Sequence, residues 1–291
     1  MRAFSFGFAG ALAGAIVFVT AAAAAIEIRV PPKIEAGGAF TIQTSGTGSA
    51  NFYLLGPGVA SKRTIQLSSG VAVAPDEVSN AGEYRAVVCA GSDCTSAAFE
   101  VRAGKPARLS FFLHPSRVPV SLPNAIDATA VISDRYDNLV LAPTNIRFEI
   151  SGGSSPASVK VVTTDRGIAW MRLASSSKAG AVRIAAVLGD IQEPRIIHQV
   201  AAEACGLRLN ARANGKKTVF DTDPVRDCAG NPLPDGTIVS FTKVDASGKT
   251  TVDAPLKKGV AQVELPLKGA ARISVACGVV VGNELSLRGA T

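Results

Sequence analysis

Few side chains of this chain could do chemistry: five cysteines, two histidines and one close group of aspartates. Cys89 and Cys94 enclose only "AGSD". A metal site would draw further Cys, His or carboxylate ligands, and Asp93 alone lies in that loop. A thioredoxin-like redox centre needs CxxC at a helix start, which this spacing does not provide. The plain reading is a covalent staple across a turn. Nucleophilic catalysis by Ser or Cys needs a histidine as base, but His114 in "FFLHPSR" and His198 in "RIIHQVA" end apolar runs and read as surface or edge residues. "FDTDPVRD" gathers Asp221, Asp223 and Asp227 like a calcium group, yet Pro224 interrupts it and no Gly-punctuated loop follows. No phosphate loop, HExxH or nucleophile elbow is present. The expectation is a protein without catalytic residues, cofactor or metal.

What positions these residues starts with the export signal. After Met1 and Arg2 comes "AFSFGFAGALAGAIVFVTAAAAA", an uncharged run that ends in small residues. A basic start, an apolar middle and an A-x-A site make a secretory signal, with cleavage expected near Ala25. The run is also long enough for an uncleaved anchor; its Ala and Gly content favours removal. No cysteine follows it, against a lipoprotein, and no second long apolar segment occurs, so no membrane span is expected in the mature chain. Export to the periplasm, the cell surface or the exterior makes disulfides the natural state of cysteine pairs. Five is odd, so one thiol is unpaired or pairs with another chain.

The formal charge is +7. Residues 26–102 carry 6 Lys and Arg against 7 Asp and Glu, residues 103–203 carry 11 against 8, and residues 204–291 carry 12 against 8. The two signs are interspersed, whereas a nucleic-acid binder gathers its basic residues on one face. No nucleic-acid partner is expected.

The sequence repeats itself, which is the first thing to read. "AGEYRAVVCAG", "AGAVRIAAVLG" and "KGAARISVACG" align Gly82, Arg85 and Gly91 with Gly180, Arg183 and Gly189 and with Gly269, Arg272 and Gly278. "DRYDNLVLAPTNIRF" and "DCAGNPLPDGTIVSF" align Asp134, Asn138 and Phe148 with Asp227, Asn231 and Phe241. "GIAWMRL" at Gly167 matches "GVAQVEL" at Gly259, with "GVAVA" at Gly70 as the counterpart in the first segment. Within each repeat run short, alternating Val, Ile, Thr and Phe segments such as "FTIQT", "ATAVIS" and "TIVSF", set apart by Gly, Pro, Asn and Asp. No sustained helical period appears. About seven short strands per segment is the rhythm of an immunoglobulin-like sandwich. The expectation is an all-β chain of three tandem immunoglobulin-like β-sandwich domains after the signal peptide: 1–25 signal, 26–102, 103–203 and 204–291.

Segments two and three resemble the bacterial Ig-like domains of the invasin and intimin type (the Big-1 family). The hallmark is "VRDCAGNPLPDGTIVSF", the end of a strand, a D-x-x-G-N-P turn and a strand with a buried aromatic. Segment three carries it as Asp227, Gly230, Asn231, Pro232 and Gly236; segment two has Asp137 for the first Gly and Leu139 for the Pro. Segment one lacks this turn and resembles a generic Ig module, since "NAGEY" is similar to a tyrosine corner with Asn80 at the Asp position. Ala86 stands where many Ig domains carry the core cysteine, so the usual inter-sheet disulfide is absent there.

Strand alternation then assigns faces. With Arg85, Arg183 and Arg272 outward, Tyr84, Ala86 and Val88 point inward, as do Ile273, Val275 and Cys277. Cys89 lies on the Arg face and is expected to bond Cys94 across a hairpin. In segment three, Ig topology brings Cys205, Cys228 and Cys277 to one pole, where any two could pair. Cys228 with Cys277 is favoured because it resembles the usual bridge between strands B and F and Cys277 points inward; Cys205 is then the odd thiol.

The alignment places Trp170 opposite Gln262 and Arg172 opposite Glu264, so the chain's one Trp falls on a polar face. Trp170 and Arg172 form a candidate interface, the rival being that Trp170 packs against a neighbouring domain. What the resemblance implies is a non-enzymatic exported array with a structural or adhesive role. A polysaccharide-binding or small-ligand-binding envelope protein is the alternative. The partner and the oligomeric state are not named by the sequence.

Overall fold

The structure, a computed structural model, describes residues 25–153, 156–214 and 217–288. The expected export segment lies outside the described residues up to Ala25. Among the described residues no helix is long and apolar enough to cross a membrane.

The chain divides into two compact units between Arg102 and Ala103. The first holds β1 (Ile28–Arg29), β2 (Ile34–Glu35), β3 (Phe40–Thr44), β4 (Ser49–Gly56), β5 (Val59–Gln66), β6 (Val71–Val73), β7 (Gly82–Ala90) and β8 (Asp93–Arg102). Its sheets are β1-β3-β6 and β2-β8-β7-β4-β5. The second unit holds two sandwiches. One comprises β9 (Arg108–His114), β10 (Arg117–Pro119), β11 (Ile126–Ser133), β12 (Asn145–Gly152), β13 (Ser158–Thr163), β14 (Ile168–Leu173), β15 (Gly180–Leu188) and β16 (Ile191–Val200), in sheets β14-β11-β9 and β10-β16-β15-β12-β13. The other comprises β17 (Leu209–Asn214), β18 (Lys217–Thr222), β19 (Ile238–Asp245), β20 (Gly248–Pro255), β21 (Gln262–Leu265), β22 (Ala271–Cys277) and β23 (Val280–Leu287), in sheets β17-β18-β21 and β20-β19-β22-β23. The chain is thus a tandem series of three Ig-like β-sandwiches.

Period-2 alternation builds each core. In β11, Ile126, Ala128, Ala130 and Ile132 are buried while the residues between them are half-exposed. Phe148 and Phe241, equivalent in the repeat, are both fully buried, each contributing about 1.5–3 kcal/mol by burial. Phe148 lies 5.8 Å from Phe111 across the second core. In the first sandwich Tyr84 stacks on Phe99 at 5.6 Å, and its hydroxyl donates to the Asn80 carbonyl at 2.8 Å, closing a tyrosine corner.

The glycine, arginine, glycine repeat has a local cause. Arg85, Arg183 and Arg272 all face solvent. The last glycine of each repeat, Gly91, Gly189 or Gly278, opens the two-residue loop between paired strands, at φ of 61°, 56° and 57°. A tight hairpin demands positive φ there, which glycine adopts without a Cβ penalty. Two sheet edges carry a charge at a core-facing position: Arg63 of β5 opposite Phe52, and Lys160 of β13 opposite Phe148.

Candidate functional site

The hallmark turn does its work at a joint. In the third sandwich Asp227 and Asn231 are only 4% and 7% exposed. Asp227 Oδ1 accepts the amides of Ala229 at 2.9 Å and Asn231 at 2.8 Å; Oδ2 accepts the Ala202 amide at 3.0 Å and the Asn231 side-chain amide at 2.9 Å. Asn231 reaches back into the second sandwich, where its Nδ2 donates to the Ser177 carbonyl and its Oδ1 accepts the Ala179 amide, both at 2.8 Å. One buried carboxylate thus organises the turn and holds the incoming linker, and one amide latches the preceding sandwich. Burial by itself would raise the Asp227 pKa; the Asn231 side chain and the backbone amides outweigh it and hold the carboxyl below its usual range.

Asp134 repeats the pattern in the second sandwich. It accepts the amides of Tyr136 at 2.8 Å and Asn138 at 2.9 Å, and Gly104 of the incoming linker at 2.9 Å. Its pKa is lowered in the same way, burial being offset by Asn138 and the amides. The residue changes that distinguish this turn from its counterpart leave its path intact: Asp137 adopts φ 67° where Gly230 adopts 83°, a conformation Asp tolerates among the non-glycine residues.

The cysteines are placed as follows. Cys89 and Cys94 are register partners in the β7–β8 hairpin and form a disulfide. The expected Cys228–Cys277 bond is not formed: Cys205 bonds Cys228, and Cys277 is the free thiol, buried. The error lay in treating Cys228 as part of a strand. It sits on the turn beyond β18, so it does not cross the core toward β22, while the Cys205 amide donates to the Arg226 carbonyl at 2.9 Å and Ala204 bridges Asp227. Cys205 is thereby carried alongside Cys228, with 4.7 Å between Cα atoms. Cys277 points inward as alternation required, and burial pushes its thiol pKa up.

The aspartates of "FDTDPVRD" are engaged separately: Asp221 pairs with Arg212 at 3.0 Å, Asp223 accepts from Asn210 at 2.8 Å, and Asp227 serves the joint. Among the described residues no three His, Cys, Asp or Glu side chains are grouped to hold a metal. His114 ends β9 and His198 lies in β16, both exposed.

Trp170 and Arg172 lie on the outer face of β14. Trp170 is 52% exposed, the Arg172 guanidinium stands 5.2 Å from its ring centre, and Arg172 Nε donates to Asp127 Oδ1 at 2.8 Å. Phe112, also 52% exposed, joins this face from β9. Sequence reasoning missed Phe112, although the doublet Phe111-Phe112 in an alternating strand requires one ring to face out. It also missed the reach of Asn231 into the second sandwich, which no local pattern encodes.

No protein-family model and no curated protein matches the sequence. Solved structures do match in fold. FdeC, an Escherichia coli adhesin, aligns with TM-score 0.62 at 17% identity over 92% of this chain and 96% of that one. Invasin, a bacterial integrin-binding protein, aligns with TM-score 0.50 at 10% identity over 88% of this chain and 57% of that one. InvD of Yersinia pseudotuberculosis aligns with TM-score 0.50 at 10% identity, covering 91% and 96%. The chain therefore has the fold of the invasin-type bacterial Ig-like arrays.

Proposed function

We propose that the protein is a non-enzymatic, exported bacterial Ig-like repeat protein that spaces or presents a surface at the cell envelope, with domains 26–102, 103–203 and 204–291. The observation that carries this reading is the near end-to-end fold likeness to FdeC, itself an adhesin. The Asp227–Asn231 joint supports it, because a spacer must transmit orientation from one sandwich to the next, and a buried, fully bonded hinge does so. Two disulfides in a small chain fit an oxidising compartment. Four of the cysteines are engaged in disulfides and the aspartates of "FDTDPVRD" in ion pairs and hydrogen bonds, which supports a role without catalysis. Fractionation of the native host cells tests the reading: the chain is expected in the periplasmic, surface or culture fraction, oxidised and lacking residues 1–25. Recovery in the cytoplasm with five reduced thiols would sink it.

A second role, binding an envelope polysaccharide, is favoured by one specific observation, the exposed rings of Trp170 and Phe112 on a single sheet face.

A further inference from the structure

Thr129 of β11 pairs with Phe112 of β9 on one side and with Trp170 of β14 on the other, so the three side chains form one row on the solvent face. The neighbouring row is His114, Asp127 and Arg172; the row beyond the aromatics is Ser110, Val131 and Ile168. Two large rings left half in water are not a demand of the fold. The matching face of the third sandwich carries Gln262, Glu264, Asp221 and Arg212, tied together by the Arg212–Asp221 and Lys217–Glu264 pairs at 3.0 Å. Something other than folding accounts for the aromatic row.

Size, charge and spacing define its occupant. Three strands 4.7–4.9 Å apart and three such rows give a flat platform of roughly 300 Å², well below the about 800 Å² per partner of a stable protein interface. Its charges are neutralised in place, Arg172 by Asp127 and Arg108 by Asp137. An anionic polymer would need a surplus of cations, so the surface suits an uncharged ligand. Because β9 and β14 are second neighbours, strand spacing puts the backbones at Phe112 and Trp170 about 10 Å apart, which matches the spacing of alternate rings in an extended β-1,4-linked sugar chain. Pyranoses present flat C–H faces to aromatic rings and a rim of hydroxyls to groups such as Asp127 and Arg172. The Arg172 guanidinium beside the indole holds that ring in position.

Resting on the export reading for where such a chain would be met, we propose that the outer face of β9, β11 and β14 binds a neutral β-1,4-linked glycan. Trp170 and Phe112 stack on alternate sugars, and Asp127 and Arg172 hold hydroxyls along one rim. Trp170 is the chain's only tryptophan, so its fluorescence reports this face alone. The purified chain is titrated with cellohexaose and with chitohexaose. A saturable emission change with at least one of them is expected, weakened roughly tenfold or more in Phe112→Ala. Absence of a saturable change with both sugars into the millimolar range would overturn the idea, as would sedimentation revealing self-association that Trp170→Ala abolishes, which points to a second copy instead. The wild-type titration decides the matter even if Phe112→Ala does not fold. An exported chain indifferent to both sugars would sink only this inference and leave the array reading standing.

Discussion

In the second sandwich Asp134 gathers the amides of Tyr136, Asn138 and Gly104; in the third, Asp227 gathers those of Ala229, Asn231 and Ala202. The two turns follow one path although Asp137 and Leu139 stand where Gly230 and Pro232 do. Their outer faces diverge, aromatic in one and a charged lattice in the other. The contrast separates two kinds of constraint. A buried carboxylate with four donors fixes the backbone around it, since each lost partner costs a desolvated donor. A solvent face has no such requirement and is free to carry a partner.

Removing the shared element should have the largest effect. Asp227→Ala strands several buried donors at once and is expected to cost about 4 kcal/mol, read from urea denaturation of the third sandwich; Asp134→Ala should cost a similar amount in the second. A loss under about 1 kcal/mol for one of them would break the equivalence. Next comes the Cys205–Cys228 bond, present in one sandwich of the pair. Replacing both residues by Ser should lower the stability of the third sandwich by about 3 kcal/mol and leave the second unchanged. Thiol titration of the denatured, unreduced wild type should find one reactive cysteine, Cys277.

Acid should then weaken both turns together. Asp134, Asp227 and Asp245 have folded pKa values lowered from the ordinary one. Asp245 owes this first to Ser247 and then to Lys243, whose Nζ lies 2.9 Å away. The stability these groups contribute is present above the unfolded carboxylate pKa of about 3.9 and is lost as pH falls through the lower folded values. A thermal midpoint level from neutral pH to about 5 and falling below about 4 is expected, with the fall reduced in Asp227→Asn. The smallest effect on stability belongs to Trp170→Gln, which installs the residue of the third sandwich: within about 0.5 kcal/mol of wild type, but with calorimetric binding of the hexasaccharide abolished.

The sequence by itself determined the strands, their faces and the repeat. Period-2 burial, hairpin glycines and the Asp–Asn turn are local rules; alternation placed Tyr84 in a core, and the resemblance to the invasin-type domains implied the buried aromatic Phe241 with its counterpart Phe148. Alternation also sent Cys277 inward, and the correspondence with Gln262 sent Trp170 outward. Only the tertiary structure decided which cysteines meet, because pairing depends on where the linker runs: the Cys205 amide bond to Arg226 brings that residue beside Cys228, across a separation of 23 in sequence. The same holds for Asn231, whose partners Ser177 and Ala179 lie over fifty residues away, and for the row of Phe112, Thr129 and Trp170, drawn from three strands. Local rules say which way a side chain points; sheet register and linker path say what it meets.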